Sequence, residues 1–331
     1  MFNEYEPKCK PYLLSAFAGG QWPQARLAST RKWIEDDKCQ LCHHERGTLD
    51  HRLRCSATMP AEGWQKPPDA VARWMQQLAP ERKQLLVTRG LLAIKVVVPP
   101  AVCGASFTWL HEPPEAEGSD WRWYIDGSLM DEPRRFARRT GFAVVVGSGN
   151  GQLVGLGSGR PPLWIQIAAG AEAWAFFIDA RMTPSLPSLV IECLEVCNTL
   201  ATGRGVATGP DRRLARVWCG IFGALKDEAA VALERLIWMP AHGAVHTINN
   251  ALRSDGRPIS GIDWRANRLV DALAKAAAGF DRVHAHILAR VDIAASMVEF
   301  AAARLGVVTP CNGPCCKTHV AIVTLGDGSE V

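Results

Sequence analysis

Bulky apolar residues alternate with polar or small ones through WRWYIDGS at 121–128, and the run stops at Gly127, as a strand entering a turn does. GFAVVVGSG and GQLVGLGSG predict two further strands joined around Gly149, Asn150 and Gly151, residues that accept the positive φ of a tight hairpin. The period then lengthens. AEAWAFFIDARM predicts an amphipathic helix, LPSLVIEC a buried strand, and VCNTLATG a short helix closed by glycine. RRLARVWCGIFGALK reads as helix, ALERLIWMP as a strand, and WRANRLVDALAKAAAG as a long helix ended by Gly279. The order β-β-β-α-β-α-α-β-α implies an α/β fold, in which an antiparallel meander leads into parallel crossover units and helices flank a mixed sheet.

Upstream of this pattern the chain is less regular. Residues 1–35, with Pro11 and Pro23, form an N-terminal segment without a clean period, and 36–60 form a Cys/His-rich module bounded by Pro60. Residues 61–117 contain helix-like stretches before Pro99 and Pro100, then the start of a polar linker, HEPPEAEGSD at 111–120. The α/β domain is expected over 118–280, followed by a C-terminal helix and cysteine-containing tail over 281–331. Across the 331 residues, 48% are hydrophobic and 21% charged, which favours folding over disorder. The net charge of +4 permits a polyanionic partner without requiring one. LLAIKVVVPPAV and IAASMVEFAAARLGVV are too short or too interrupted to span a bilayer, so no membrane partner is expected. MFNEYEPKCK lacks the basic, apolar and small-residue pattern of a secretory leader, and the expected setting is intracellular, the nucleus included.

Two constellations carry candidate chemistry. In CQLCHHERGTLDHRLRC the spacing is Cys39-x2-Cys42-x8-His51-x3-Cys55, which can close a tetrahedral structural Zn2+ site. His43 and His44 compete as ligands, but their adjacency to Cys42 makes ring closure awkward, so His51 is preferred. Arg46, Arg52 and Arg54 could face phosphate, although a solvated surface explains them as well. Cys311, Cys315, Cys316 and His319 offer a second cluster, or simply a cysteine-rich tail.

The second constellation is acidic. Asp126 ends the first strand, Glu172 lies near the start of a helix, Glu192 ends the buried strand, and Asp271 lies inside the last helix. Gathered at one sheet edge, such like charges need cations, and Mg2+ or Mn2+ bound by carboxylate oxygens suits chemistry on phosphate.

In this order the motifs resemble a type 1 ribonuclease H domain, from about Trp121 to Gly279. The whole chain resembles the C-terminal part of a non-LTR retrotransposon reverse transcriptase polyprotein, dinoflagellate forms in particular, with the zinc-binding segment ahead of the domain. YIDGS resembles the first catalytic strand and AEAWAF the acidic start of the first long helix. LVIECLEV places Glu192 where that family carries aspartate, LIWMPAH places His242 at the assisting histidine, and RANRLVDALAK places Asp271 at the last metal-binding acid, four residues after Asn267. The resemblance implies a ribonuclease H-like mixed five-stranded sheet and metal-dependent cleavage of the RNA strand of an RNA–DNA hybrid. It further implies Asp126, Glu172, Glu192 and Asp271 as ligands of Mg2+ or Mn2+, His242 as proton carrier, and a reverse transcriptase portion of the same polyprotein as partner. Arg134, Arg135, Arg138 and Arg139 are then available for backbone contacts. The alternatives are a catalytically impaired nucleic-acid-binding module, or a structural remnant of a retroelement polyprotein.

Overall fold

The computed structural model describes residues 10–31, 34–95, 97–98, 104–115, 118, 120–226 and 229–308. The second cysteine cluster, 311–319, lies outside them. The chain divides into two compact units, one from residues up to 98 together with those from 284 onward, the other from 99–283.

The first unit is helical: α1 (Lys10–Phe17), α2 (Gln24–Thr30), α3 (Leu49–Arg52), α4 (Asp69–Gln77), α5 (Pro80–Arg89) and, from the far end of the sequence, α12 (Ala285–Val308). The segment before residue 36, read above as patternless, thus supplies two helices. Pro80 opens α5, where its missing N–H costs nothing, and Gly90 closes it in the left-handed region at φ 64°. Two apolar clusters hold the unit: Leu13 with Ala302, Leu305 and Val308, and Val71 and Leu86 with Met297 and Ala301. Of the C-terminal segment expected over 281–331, α12 therefore shares a core with the N-terminal helices.

The second unit contains β1 (Ser106–His111), β2 (Arg122–Met130), β3 (Arg139–Gly147), β4 (Leu153–Arg160), α6 (Ala168–Met182), β5 (Ser188–Ile191), α7 (Leu194–Ala201), α8 (Gly203–Ala207), α9 (Ala215–Leu225), α10 (Ala229–Arg235), β6 (Leu236–Trp238) and α11 (Gly261–Gly279). The sheet order is β1-β4-β3-β2-β5-β6, antiparallel from β1 to β2 and parallel from β2 to β6. This is a ribonuclease H-like mixed sheet flanked by helices, with six strands rather than five. The extra edge strand, β1, comes from ahead of the polar linker, so the sheet begins before residue 118. Its Phe107 and Trp109 alternate onto the buried side and pack with Phe142 and Trp123.

Three other boundaries differ from the sequence reading. β2 does not stop at Gly127 but continues to Met130, because Gly127 stays paired with Phe142 and its bare Cα lets α6 close over it. ALER is helical, leaving only three residues of β6. α11 starts three residues early, at Gly261, because Ser260 and Asp263 form a reciprocal capping box.

Helices cover both faces of the sheet. α6 and α9 pack on one face, around Ile125, Phe142, Val144, Phe176, Ile191, Ile221 and Phe222, and α11 covers the other through Val270 and Ala274 against Tyr124, Ala143 and Val145. Gly127 and Gly141 set these two distances. A Cβ on Gly127 would lie 2.2 Å from the Glu172 amide nitrogen, and one on Gly141 2.2 Å from that of Ala278.

Candidate functional site: an acidic sheet edge and a Cys/His cluster

The parallel register pairs Ile125 with Ile191, the last matched pair of β2 and β5. The next residue on each strand is an acid, Asp126 and Glu192, so the register alone sets two carboxylates side by side. The contact of α6 with Gly127 brings Glu172 beside them, and α11 carries Asp271 and Asn267 in from the opposite face. Asp126, Glu172 and Glu192 are all less than 10% exposed.

Each acid is partly satisfied by the chain. Glu172 Oε1 accepts the amides of Glu192 (3.1 Å) and Cys193 (2.9 Å), and Asp126 Oδ1 accepts that of Gly127 (2.8 Å). Glu192 Oε1 accepts the His242 amide at 3.2 Å and the Asn267 side-chain amide. Asp271 is ion-paired with Lys275 at 2.7 Å, one turn on. The remaining cost shows in the titration. Burial, then the charges of Glu192 and Asp271, push Asp126 up to about 6. Burial and the nearby Asp126 charge raise Glu172 well above the usual carboxylate range, and burial raises Glu192 despite the Asn267 and His242 donors. His242, exposed in the loop after β6, lies near enough for its charge to lower both Asp126 and Glu192.

The structure thus brings all five expected residues to one edge. It does not draw the acids into a tight ligand set. Among the described residues, the group whose ligand atoms all lie within 4.8 Å of one another is the Cys/His one. Asn267 and Lys275 engage Glu192 and Asp271 directly. Lys275 escaped the sequence reading, although its i+4 spacing from Asp271 is the signal for such a pair. Arg139, expected to reach a nucleic-acid backbone, is instead buried against Asp281 (3.5 Å).

The Cys/His cluster joins Cys39, Cys42, His51 and Cys55. Lys38 and Arg46 bridge as a miniature hairpin, and His43, directly after the second thiol, takes φ 59° in its turn. Thr48 caps α3 by accepting the His51 amide, which fixes that ring's helix. His51 Nε2 lies 3.3 Å from Cys42 Sγ, and its Nδ1 lies 3.0 Å from a Glu45 carboxylate oxygen. A carboxylate on the second nitrogen of a ligand histidine orients the ring and raises its basicity. The amides of Glu45 and His44 draw the Cys42 thiol down to about 6, while burial pushes Cys55 up to about 11. Three sulfurs and one imidazole, with Cys39, His51 and Cys55 buried and Cys42 partly exposed, make a donor set of the kind that can hold a structural metal ion. Arg46 and Arg54 are turned to Asp37 and Asp50 at the surface.

No protein-family model and no curated protein sequence matches the chain. Two solved structures are similar to it. The ribonuclease H domain of PFV is 15% identical, with 49% of this chain and 95% of that one covered and a TM-score of 0.33. The prototype foamy virus protease-reverse transcriptase is 16% identical, with 52% of this chain and 22% of that one covered and a TM-score of 0.32.

Proposed function

We propose that the protein cleaves the RNA strand of RNA–DNA hybrids endonucleolytically with Mg2+ or Mn2+, and that Zn2+ fills the Cys/His cluster as a structural ion. The observation that carries the first reading is the convergence of Asp126, Glu172, Glu192 and Asp271 where the parallel pairing of β2 and β5 ends, three of them with raised affinity for protons. Acids whose burial and mutual charge raise their proton affinity are relieved when a cation binds among them.

Divalent cations here would supply Lewis-acid activation of water and stabilisation of the leaving oxygen. Asp126, Glu172, Glu192 and Asp271 would hold the divalent cations, with Asp126 central among them. Lys275 pairs with Asp271 and would have to give way to a cation there. His242 is exposed beside the acids and can accept and return a proton near the leaving oxygen. The hybrid would be distinguished by its 2′-hydroxyls and groove shape rather than by base sequence. We extend this reading to a retroelement setting, with a reverse transcriptase portion as partner and an intracellular location that includes the nucleus.

The test is cleavage of a labelled hybrid with Mg2+ or Mn2+, beside duplex RNA, duplex DNA and a chelated control. Metal-dependent scission of the hybrid RNA strand is expected. Strong hybrid binding without scission would favour a nucleic-acid-binding module instead.

A further inference from the structure

The loop after β6 is tied down by side chains whose contacts concern its geometry. The His242 amide donates to Glu192 Oε1 at 3.2 Å, and the Asn267 side-chain amide donates to the same oxygen. Trp264, on the first turn of α11, donates its indole N–H to the Gly243 carbonyl at 2.8 Å, and Trp238 donates its own to the Glu192 carbonyl at 2.8 Å. Between these ties His242 sits at φ 50°, a left-handed conformation that disfavours any residue with a Cβ and persists only where the surroundings enforce it.

We propose that Glu192, Asn267 and Trp264 form a brace that fixes the backbone of His242, making Glu192 a positioning residue as well as an acid of the cluster. The inference rests on the hydrolase reading for the role of His242. The length of the side chain carries it. Aspartate would withdraw the carboxylate by about one carbon–carbon bond, roughly 1.5 Å. The bond to His242 is already 3.2 Å long, so the shorter acid leaves that amide without its acceptor. Glutamate at this place is therefore fitted to the loop, not a loose substitute for a shorter acid. The indole bond of Trp264 reaches the Gly243 carbonyl and none of the four acids, and Trp264→Phe keeps an aromatic ring against the core beneath α11.

The experiment compares wild type, Glu192→Gln, Glu192→Asp and Trp264→Phe as the full chain, with circular dichroism confirming the fold. Hydrogen exchange at the His242 amide is read by nuclear magnetic resonance without divalent metal. Glu192→Gln keeps both length and an acceptor oxygen, so exchange stays within about threefold of wild type. Glu192→Asp and Trp264→Phe each remove one tie and speed exchange about tenfold. In cleavage, Trp264→Phe lowers kcat about tenfold with KM unchanged, and Glu192→Gln loses activity while its His242 amide stays protected. Unchanged exchange in both Glu192→Asp and Trp264→Phe overturns the brace, as does faster exchange in Trp264→Phe with an undiminished kcat. If the exchange pattern holds but wild type cleaves no hybrid, the brace stands and the hydrolase reading falls.

Discussion

Replacing Gly127 by alanine tests whether the strand–helix contact sets the acid cluster. The new Cβ would meet the Glu172 amide nitrogen at 2.2 Å and the Ala168 carbonyl oxygen at 2.7 Å, both main-chain atoms that cannot swing aside. Ordinary contact begins near 3.4 Å, so α6 must retreat by roughly 1.2 Å or β2 must bow away by as much. Overpacking of this kind costs about 1–3 kcal/mol. The retreat also pulls Glu172 off the amides of Glu192 and Cys193 and away from Asp126. A displacement near 1 Å can lower a rate about 100-fold. The expected result is a urea midpoint lowered by that modest energy together with a loss of hybrid cleavage on the order of 100-fold. Ile221→Ala provides the comparison, because Ile221 is fully buried on α9. Its loss costs about 2–5 kcal/mol while leaving the acids in place. Both variants are assayed at a temperature where each is folded. If Gly127→Ala cleaves as wild type does, or loses no more activity than Ile221→Ala, the contact does not set the site.

Asp126→Asn should abolish most hybrid cleavage while leaving hybrid affinity nearly unchanged, measured by scission and by binding in chelator. The same substitution should stabilise the metal-free protein at pH 7.5. Asp126 binds its proton more tightly folded than unfolded, so stability is lost as pH rises from about 4 through about 6, and the asparagine removes that loss. Denaturant melts at pH 5 and 7.5 decide this; a wild type no less stable at the higher pH, with an unaffected variant, refutes it. Asp263 behaves oppositely. Burial alone would raise it, but the Ser260, Tyr124 and Arg253 donors outweigh burial and lower it, so its contribution is present above about pH 4 and lost as pH falls below. Asp263→Asn removes one of the two carboxylates on buried Arg253, leaving the Asp255 pair at 2.6 Å, and should cost about 1–3 kcal/mol at pH 7, by urea melt. Glu45→Ala should weaken Zn2+ binding about 10- to 100-fold in chelator competition, and equal affinity would show that the Glu45–His51 contact does not tune the site.

The strands and the acid positions were legible because both rest on local pattern. β2, β3 and β4 announce themselves by alternation and a glycine-rich hairpin, and the acids by the short motifs that hold them, although Asp126 lies inside β2 and Asp271 inside α11. The Cys/His spacing was legible for the same reason, since Cys39, Cys42, His51 and Cys55 meet within one short stretch. What escaped depends on distant partners. β1 is six residues long, mostly exposed, and becomes a strand by pairing with β4 some fifty residues on. The Ser260–Asp263 cap lies just ahead of the stretch read as helix, and Asp263 is held by Tyr124 and Arg122 across the chain. Arg139 shows the same limit: its charge suggests solvent, yet Asp281 buries it.

The helical unit is discontinuous in sequence, and this dictates an order of assembly. Val71 and Leu86 are covered by Met297 and Ala301, more than 200 residues later. On a ribosome, α4 and α5 emerge long before α12 exists, so their apolar faces must wait while the entire sheet unit is synthesised. The sheet unit is contiguous and can complete itself first. A chain interrupted after residue 283 would therefore leave an intact sheet attached to an open, adhesive helical half. Such products should aggregate through unit one, and protein released before α12 is made should depend on chaperones that shield apolar surface.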